Sequence, residues 1–362
     1  MIYQEILSKQ DPSILITGDS LSYNRYGYDS SPRANAFDCG VGMPCWSFLL
    51  RDRIYRLDRQ FIFGDCIEAD CAWIPGIDNT SDVPHTAAFG GRVKTLYPED
   101  TVSFSVPIKS DRIVLYLQYR SENSCVFDVC VDCNCAAKDV NTLGSTEAFA
   151  GYGLFPLVLP CEPDLERHTV EFFNIRGVSP KITLAGAGSR HYNIALTGRG
   201  STCADYFIEN FEERIGRYKP DLLILLLGAN DRAYRTIDAT RINLIKLFSK
   251  IFACSPECKI LYLLPPSSHC PQDPGRDVLP YTSLLTAEAY NRTMEAVCRN
   301  LGKDGYNGFG LNEDRQYDIE SMRISDLFDD QDVSSWRFDN IHLNHHGNQV
   351  LLDALCKKLG LP

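Results

Sequence analysis

The chain has 362 residues, 44% of them hydrophobic and 23% charged, which is enough apolar material for a large core in one or two domains. With 36 basic against 47 acidic side chains, its net charge of −11 argues against a surface built to hold nucleic-acid phosphates or anionic lipid, and leaves a neutral or cationic partner. No run approaches the roughly 20 apolar residues of a membrane helix, and the opening MIYQEILSKQDPS is too polar for a secretory segment, so a cytoplasmic protein without a membrane partner is expected.

Residues 14–17, ILIT, predict a short buried strand. MPCWSFLLRDRIYRL from Met43 has helical spacing, with Trp46, Leu49, Leu50 and Ile54 on one side and Pro44 suited to the first turn. A strand, a loop with Gly and Ser, and a helix form the opening unit of an α/β fold. From about Gln60 the pattern turns all-β: DTVSFSVPI, RIVLYLQYR, CVFDVCVDC, GYGLFPLVLP, HTVEFFNI and KITLAGAG are short β-prone stretches parted by turn residues, as in a β-sandwich or jelly roll. After Gly188 the α/β rhythm resumes, with strands YNIALTG, DLLILLLG and KILYLLPP. Helices are predicted over STCADYFIENFEERIGRY, ATRINLIKLFSKIFAC, AEAYNRTMEAVCRNLG and HGNQVLLDALCKKLG. The expected organisation is a discontinuous α/β domain, 1–60 and 189–362, interrupted by a β-domain at 61–188.

Fifteen cysteines cannot all pair within one chain, and without an export signal reduced thiols are the default. Cys125, Cys130, Cys133 and Cys135 lie close enough in sequence to invite a zinc reading. Against it, VFDVCVD alternates like a strand and free cysteine packs as a small hydrophobe, so structural thiols are expected and no metal.

Polar clusters follow the apolar strands, where α/β sheets bind ligands: Gly18-Asp19-Ser20, TGRGS at 197–201, and Gly228-Ala229-Asn230-Asp231. A fourth, DNIHLNHHGN from Asp339, precedes the last helix. Acyl transfer needs such groups: a serine hydroxyl, a histidine to take its proton, a carboxylate to hold the imidazole in one tautomer, and preorganised donors for the oxyanion. Ser20 alone could equally cap a helix, and Asn230 and Asp231 could be turn residues. Gly198 competes with Gly200 for the tight loop, and His345 and His346 compete with His342 as base; the Asp-x-x-His spacing favours His342.

In this order, Gly18-Asp19-Ser20, Gly200, Gly228-x-Asn230-Asp231 and Asp339-x-x-His342 resemble the four signature blocks of the SGNH, or GDSL, hydrolase superfamily. The resemblance implies a three-layer α/β/α fold with Ser20 as nucleophile, His342 as base and Asp339 as its orienter. It also implies an oxyanion hole from the Ser20 and Gly200 amides and the Asn230 side chain, with no cofactor. The long gap between the first and second blocks departs from the commonest pattern, and the β-domain fills it.

The combination of this core with an inserted jelly-roll, carbohydrate-binding-like domain is similar to intracellular acetyl esterases of gut Firmicutes, including the acetylmannan esterases of carbohydrate esterase family 17. That likeness implies an acetylated oligosaccharide as substrate partner, deacetylated through an acetyl-Ser20 intermediate. A lipid or thioester acyl chain, or a non-catalytic glycan-binding role, are the competing readings. Trp336, six residues before His342, is either a stacking surface for a sugar or a core anchor of the final loop; Trp73 is a second candidate platform, and Trp46 belongs to the core.

Overall fold

In the computed structural model, the described residues are 2–22, 45–68, 73–75, 94–96, 101–118, 125–142, 154–177, 182–266, 269–270, 273–277, 287–303, 305–306, 309–312, 314–328, 333–337 and 342–362. The helices among them are α1 (Ile2–Ser8), α2 (Trp46–Tyr55), α3 (Ala204–Glu209), α4 (Phe211–Arg214), α5 (Ala229–Tyr234), α6 (Ile237–Cys254), α7 (Ala287–Asn300), α8 (Val333–Trp336) and α9 (His345–Leu359). The strands run in chain order through β1 (Ser13–Gly18), β2 (Ile62–Phe63), β3 (Trp73–Pro75), β4 (Lys94–Leu96), β5 (Val102–Val106), β6 (Arg112–Gln118), β7 (Val126–Val131), β8 (Asn134–Asn141) and β9 (Leu154–Pro160). They continue through β10 (His168–Arg176), β11 (Ile182–Gly188), β12 (Asn193–Leu196), β13 (Leu222–Leu226), β14 (Lys259–Leu264), β15 (His269–Cys270), β16 (Asp273–Asp277) and β17 (Ile319–Arg323).

Five strands form a parallel sheet in the order β12-β1-β13-β14-β17. Successive side chains of a strand point to opposite faces, and both faces are apolar here. Ile14, Ile16, Leu222, Ile224, Leu226, Leu261 and Leu263 face a cluster built with α1, α2 and α9. Leu15, Leu223, Leu225, Ile260, Tyr262 and Leu264 face a second cluster with α3, α6 and α7. The result is the expected α/β/α layering around a parallel sheet. Trp46, Leu50 and Ile54 are buried, as the helical spacing from Met43 predicts, whereas Pro44 lies outside the described residues.

The chain from β2 to β11 forms two antiparallel sheets, β5-β10-β7-β8 and β3-β4-β11-β6-β9, with β2 added to β11. Val102, Phe104, Phe127, Val129, Val170 and Phe172 of the first share one core with Ile113, Leu115, Leu117, Leu159, Ile182 and Leu184 of the second. β6 is buried on both faces: Ile113, Leu115 and Leu117 look into this core, while Val114 and Tyr116 look the other way, into the cluster of α2 and α9. The Tyr116 ring meets that of Tyr55 edge-on at 4.5 Å between centroids, an arrangement worth about 0.5–1.5 kcal/mol beyond its buried area. Its hydroxyl donates to the Arg190 carbonyl at 2.7 Å and accepts from the Tyr192 amide at 3.1 Å.

Several elements differ from the sequence reading, among them α1, the β15–β16 hairpin and β17, which no apolar run announced, and two with a plain local cause. The helix predicted over 201–218 is broken at Asn210, whose φ of −103° and ψ of 31° leave the helical region while its Nδ2 donates to the Tyr206 carbonyl at 2.9 Å, a side-chain competitor to the helix ladder. β8, sequence NCAAKDVN, has no apolar alternation because it is a largely exposed strand at one end of its sheet.

Candidate functional site

β1 delivers Ser20 through Gly18. At Gly18, φ is +147°, and a Cβ would come within 1.8 Å of the Leu226 carbonyl oxygen, so only glycine allows the chain to turn this close to β13. The Asp19 amide donates to that same carbonyl at 3.1 Å, and the Asp19 carboxylate accepts from the Leu21 amide at 3.0 Å. Ser20 therefore sits in a turn braced on both sides. Among the described residues no helix starts at Ser20 that it could cap.

His342 Nε2 lies 2.9 Å from Ser20 Oγ, within hydrogen-bond reach for proton transfer. Leu343, the next residue, is buried and bridges to Arg337, and Asn344 caps α9 by accepting from the Gly347 amide at 2.9 Å. These contacts fix the backbone that carries the imidazole. His345 and His346 are exposed residues in the first turn of α9. Asp339, expected to orient His342, lies outside the described residues.

Gly200 follows β12, which runs parallel to β1. The Thr197 amide donates to the Ile16 carbonyl at 3.1 Å and the Arg199 amide to the Gly18 carbonyl at 2.7 Å, placing the Gly200 turn beside the Ser20 turn. Asn230 is in the first turn of α5, reached through Gly228 at φ +128°. Its Nδ2 is buried without a hydrogen-bond partner among the described residues. A buried amide donor left unpaired costs about 1–3 kcal/mol, unless an incoming group accepts from it.

Two carboxyls lie beneath these loops. Burial, reinforced by the neighbouring Asp231 charge, pushes Asp19 up to about 7 against the pull of the Leu21, Ala229 and Gly228 amides. Burial likewise pushes Asp231 up to about 6 although the Ala204 amide stabilises its anion. The sequence placed both in the signature blocks, but burial beneath the loops is a tertiary property that no local pattern encodes.

Trp336 does not offer the stacking surface expected of a substrate-binding residue. It is 4% exposed, stacked on Phe328 at 4.2 Å, and covered by the Arg337 guanidinium at 4.0 Å. It is the anchor of the segment before His342. Trp73 starts β3 opposite Leu96, and its side chain lies outside the described residues. An aromatic that the sequence did not single out, Tyr234, is 57% exposed one turn after Asn230 on α5. Cys125 is buried, Cys130 half-buried, and Cys133 and Cys135 exposed, with Cys130 opposite Cys135 across the hairpin. Among the described residues no group of three or more His, Cys, Asp or Glu side chains could hold a metal ion.

The model of the GDSL-like lipase/acylhydrolase family matches residues 179–350, a span that contains Gly200, Asn230 and His342 and leaves Ser20 ahead of it. This match supports the GDSL/SGNH hydrolase superfamily and an acylhydrolase or esterase activity. Among solved structures, the chain is similar to a peptidoglycan O-acetylesterase, at 13% identity and a TM-score of 0.43 over 99% of this chain and 93% of that one. It is also similar to an acetylxylan esterase from Geobacillus stearothermophilus, at 16% identity, a TM-score of 0.34 and coverage of 48% and 74%. A third is a GDSL-like lipase from Bacteroides thetaiotaomicron, at 14% identity, a TM-score of 0.34 and coverage of 46% and 75%. No curated protein matches the sequence.

Proposed function

We propose, from the family match over residues 179–350 and the pairing of Ser20 with His342, that this chain is a serine esterase that removes O-acetyl groups from carbohydrate. The observation that carries the esterase reading is the 2.9 Å contact between Ser20 Oγ and His342 Nε2. His342 Nε2 takes the hydroxyl proton as Ser20 Oγ bonds to the acetyl carbonyl carbon. Negative charge forms on the carbonyl oxygen and is met by the amides of Ser20 and Gly200 and by Asn230 Nδ2. Collapse breaks the ester bond, the sugar oxygen leaves with the proton from His342, and acetyl-Ser20 remains. A water then loses a proton to His342, attacks the acyl carbon, and releases acetate and the free hydroxyl. In this reading the Asp339 carboxylate accepts a hydrogen bond from the Nδ1–H of His342 and holds its tautomer.

The carbohydrate half of the proposal draws on residues 61–188 as a jelly-roll, carbohydrate-binding-like domain, and on Tyr234 as an exposed ring one turn after Asn230 on α5. An acidic chain is compatible with a neutral glycan such as a mannan-derived oligosaccharide, met in the cytoplasm after import.

Acetate release from acetylated mannan, xylan and chitin oligosaccharides, followed by mass spectrometry beside a series of 4-nitrophenyl esters, tests this. Loss of acetyl mass from the mannan substrate and an aryl-ester optimum at acetate are expected, both abolished in Ser20→Ala. An optimum at long acyl chains would instead assign a lipid or thioester substrate, and activity that survives Ser20→Ala would overturn the mechanism.

A further inference from the structure

The loop that carries Gly200 is held at both ends by groups of residues that lie one or two positions along the chain from the other two oxyanion contributors. At its start, the Arg199 amide donates to the Gly18 carbonyl at 2.7 Å, two residues before Ser20. At its end, the Ala204 amide donates to the Asp231 carboxylate, 3.0 Å from Oδ1 and 3.2 Å from Oδ2, one residue after Asn230. Between these pins the loop closes on itself, with Ser201 at φ +60° and the Thr202 hydroxyl donating to the Arg199 carbonyl at 2.6 Å.

The Asp231 contact replaces a local one. Ala204 is the first residue of α3, and Cys203 before it provides no side-chain cap. The first amides of a helix have no partner within the helix, so one of them is free to bond a group from elsewhere in the fold. The carboxylate that reaches it is only 1% exposed. A buried carboxyl that is costly to ionise is retained here where a local Ser or Thr at position 203 would have capped α3 without it.

We infer that Asp231 is a positioning residue of the esterase site, which sets the separation of the Gly200 amide and the Asn230 amide by tying the start of α3 to the first turn of α5. This rests on the oxyanion assignment proposed above. A donor displaced by a few tenths of an ångström remains a hydrogen-bond donor, yet no longer meets the oxygen where charge develops. The contribution of Asp231 is therefore made in the transition state and read in kcat.

The test is a double-mutant cycle on 4-nitrophenyl acetate, with phenylboronic acid as a tetrahedral mimic. Asp231→Ala is expected to lower kcat about tenfold to a hundredfold with KM within about twofold, and to weaken boronate inhibition in proportion to kcat/KM. Asp231→Asn, whose Oδ1 still accepts from the Ala204 amide, retains most of the activity. In an Asn230→Ala background the Asp231→Ala step costs less than about threefold, because the donor it positions is already gone. Should Asp231→Ala not fold, Asp231→Ser, polar but too short to span the contact, enters the same cycle. Equal costs of the Asp231 step in both backgrounds, or Asp231→Asn as damaged as Asp231→Ala, would overturn the inference. Wild-type protein inactive on every acyl ester would strike the esterase reading itself, whereas active wild type with an unimpaired Asp231→Ala strikes only this one.

Discussion

His342 Nε2 and Ser20 Oγ meet at 2.9 Å across 322 residues of chain. The contact exists because β1, held between β12 and β13, carries Ser20 out of the sheet while Asn344 and Leu343 pin the backbone just after the histidine. Replacing His342 by Gln removes the proton acceptor without emptying the space. A loss in kcat of at least about a thousandfold is expected, together with loss of Ser20 labelling by a fluorophosphonate. Undiminished labelling would show that another group activates Ser20.

Asn230→Ala removes one donor and leaves the Ser20–His342 pair intact. The expected cost is about a hundredfold to a thousandfold in kcat, near 3–4 kcal/mol, with KM little changed. Steady-state kinetics on aryl acetate decides it, and a purely KM effect would remove Asn230 from the transition state.

Gly18→Ala combines an unfavourable φ of +147° with a Cβ 1.8 Å from the Leu226 carbonyl. β1 or β13 would have to move, and both are buried in the sheet. A destabilisation above about 3 kcal/mol is expected, read as a fall in the thermal midpoint. An unchanged midpoint would refute the close approach.

The two buried carboxyls give the protein a pH signature. Asp19 and Asp231 titrate near 3.8 in an unfolded chain, and are raised to about 7 and about 6 in the fold, chiefly by burial. Between these limits the folded state holds more protons than the unfolded one, so their contribution to stability is present in acid and is lost as pH rises, by up to about 1.4 kcal/mol per pH unit for each group. Asp231→Asn deletes one of the two. Its stability relative to wild type should improve steadily from about pH 4 to about pH 6 and then level off, which urea midpoints across that range would record. A relative stability that does not vary with pH would place the proton elsewhere.

Trp336→Ala separates anchoring from substrate contact. With its ring stacked on Phe328 and almost fully buried, truncation should cost about 3–5 kcal/mol of stability while leaving the ratio of oligosaccharide to aryl-acetate turnover unchanged. A shift in that ratio at unaltered stability would return Trp336 to the substrate.

β1, β13 and β14 were legible because they are buried on both faces, whereas the half-buried β17, IESMR, carries no apolar run. A run such as LLILL over 222–226 fits a strand covered on both faces. The residues Ser20, Gly200, Asn230 and His342 could be found by their blocks, since acyl transfer restricts which residue types can follow those strands. Trp336 stayed open between sugar platform and core anchor because a tryptophan near this loop reads the same whether its ring meets solvent or Phe328. Asp231 was legible as a residue and not as a tie: its partner is a backbone amide 27 residues away, and amides carry no sequence signal. β8 escaped notice because an exposed strand needs no apolar alternation.

Asp58, in the turn after α2, accepts from the Ser189 amide at 2.5 Å, the Ser189 hydroxyl at 2.9 Å and the Arg190 amide at 2.8 Å. The chain thus leaves for the antiparallel sheets and returns from them through one buried carboxylate, while Tyr116 presses on Tyr55 from the far side of β6. A part fastened by its two stems and by a shared aromatic wall cannot swing as a hinged cover. It also cannot be excised cleanly, because cutting out 61–188 would bare Tyr55 and strip Tyr192 of its amide acceptor. The antiparallel sheets and the parallel sheet should therefore melt in a single calorimetric transition, as one cooperative unit.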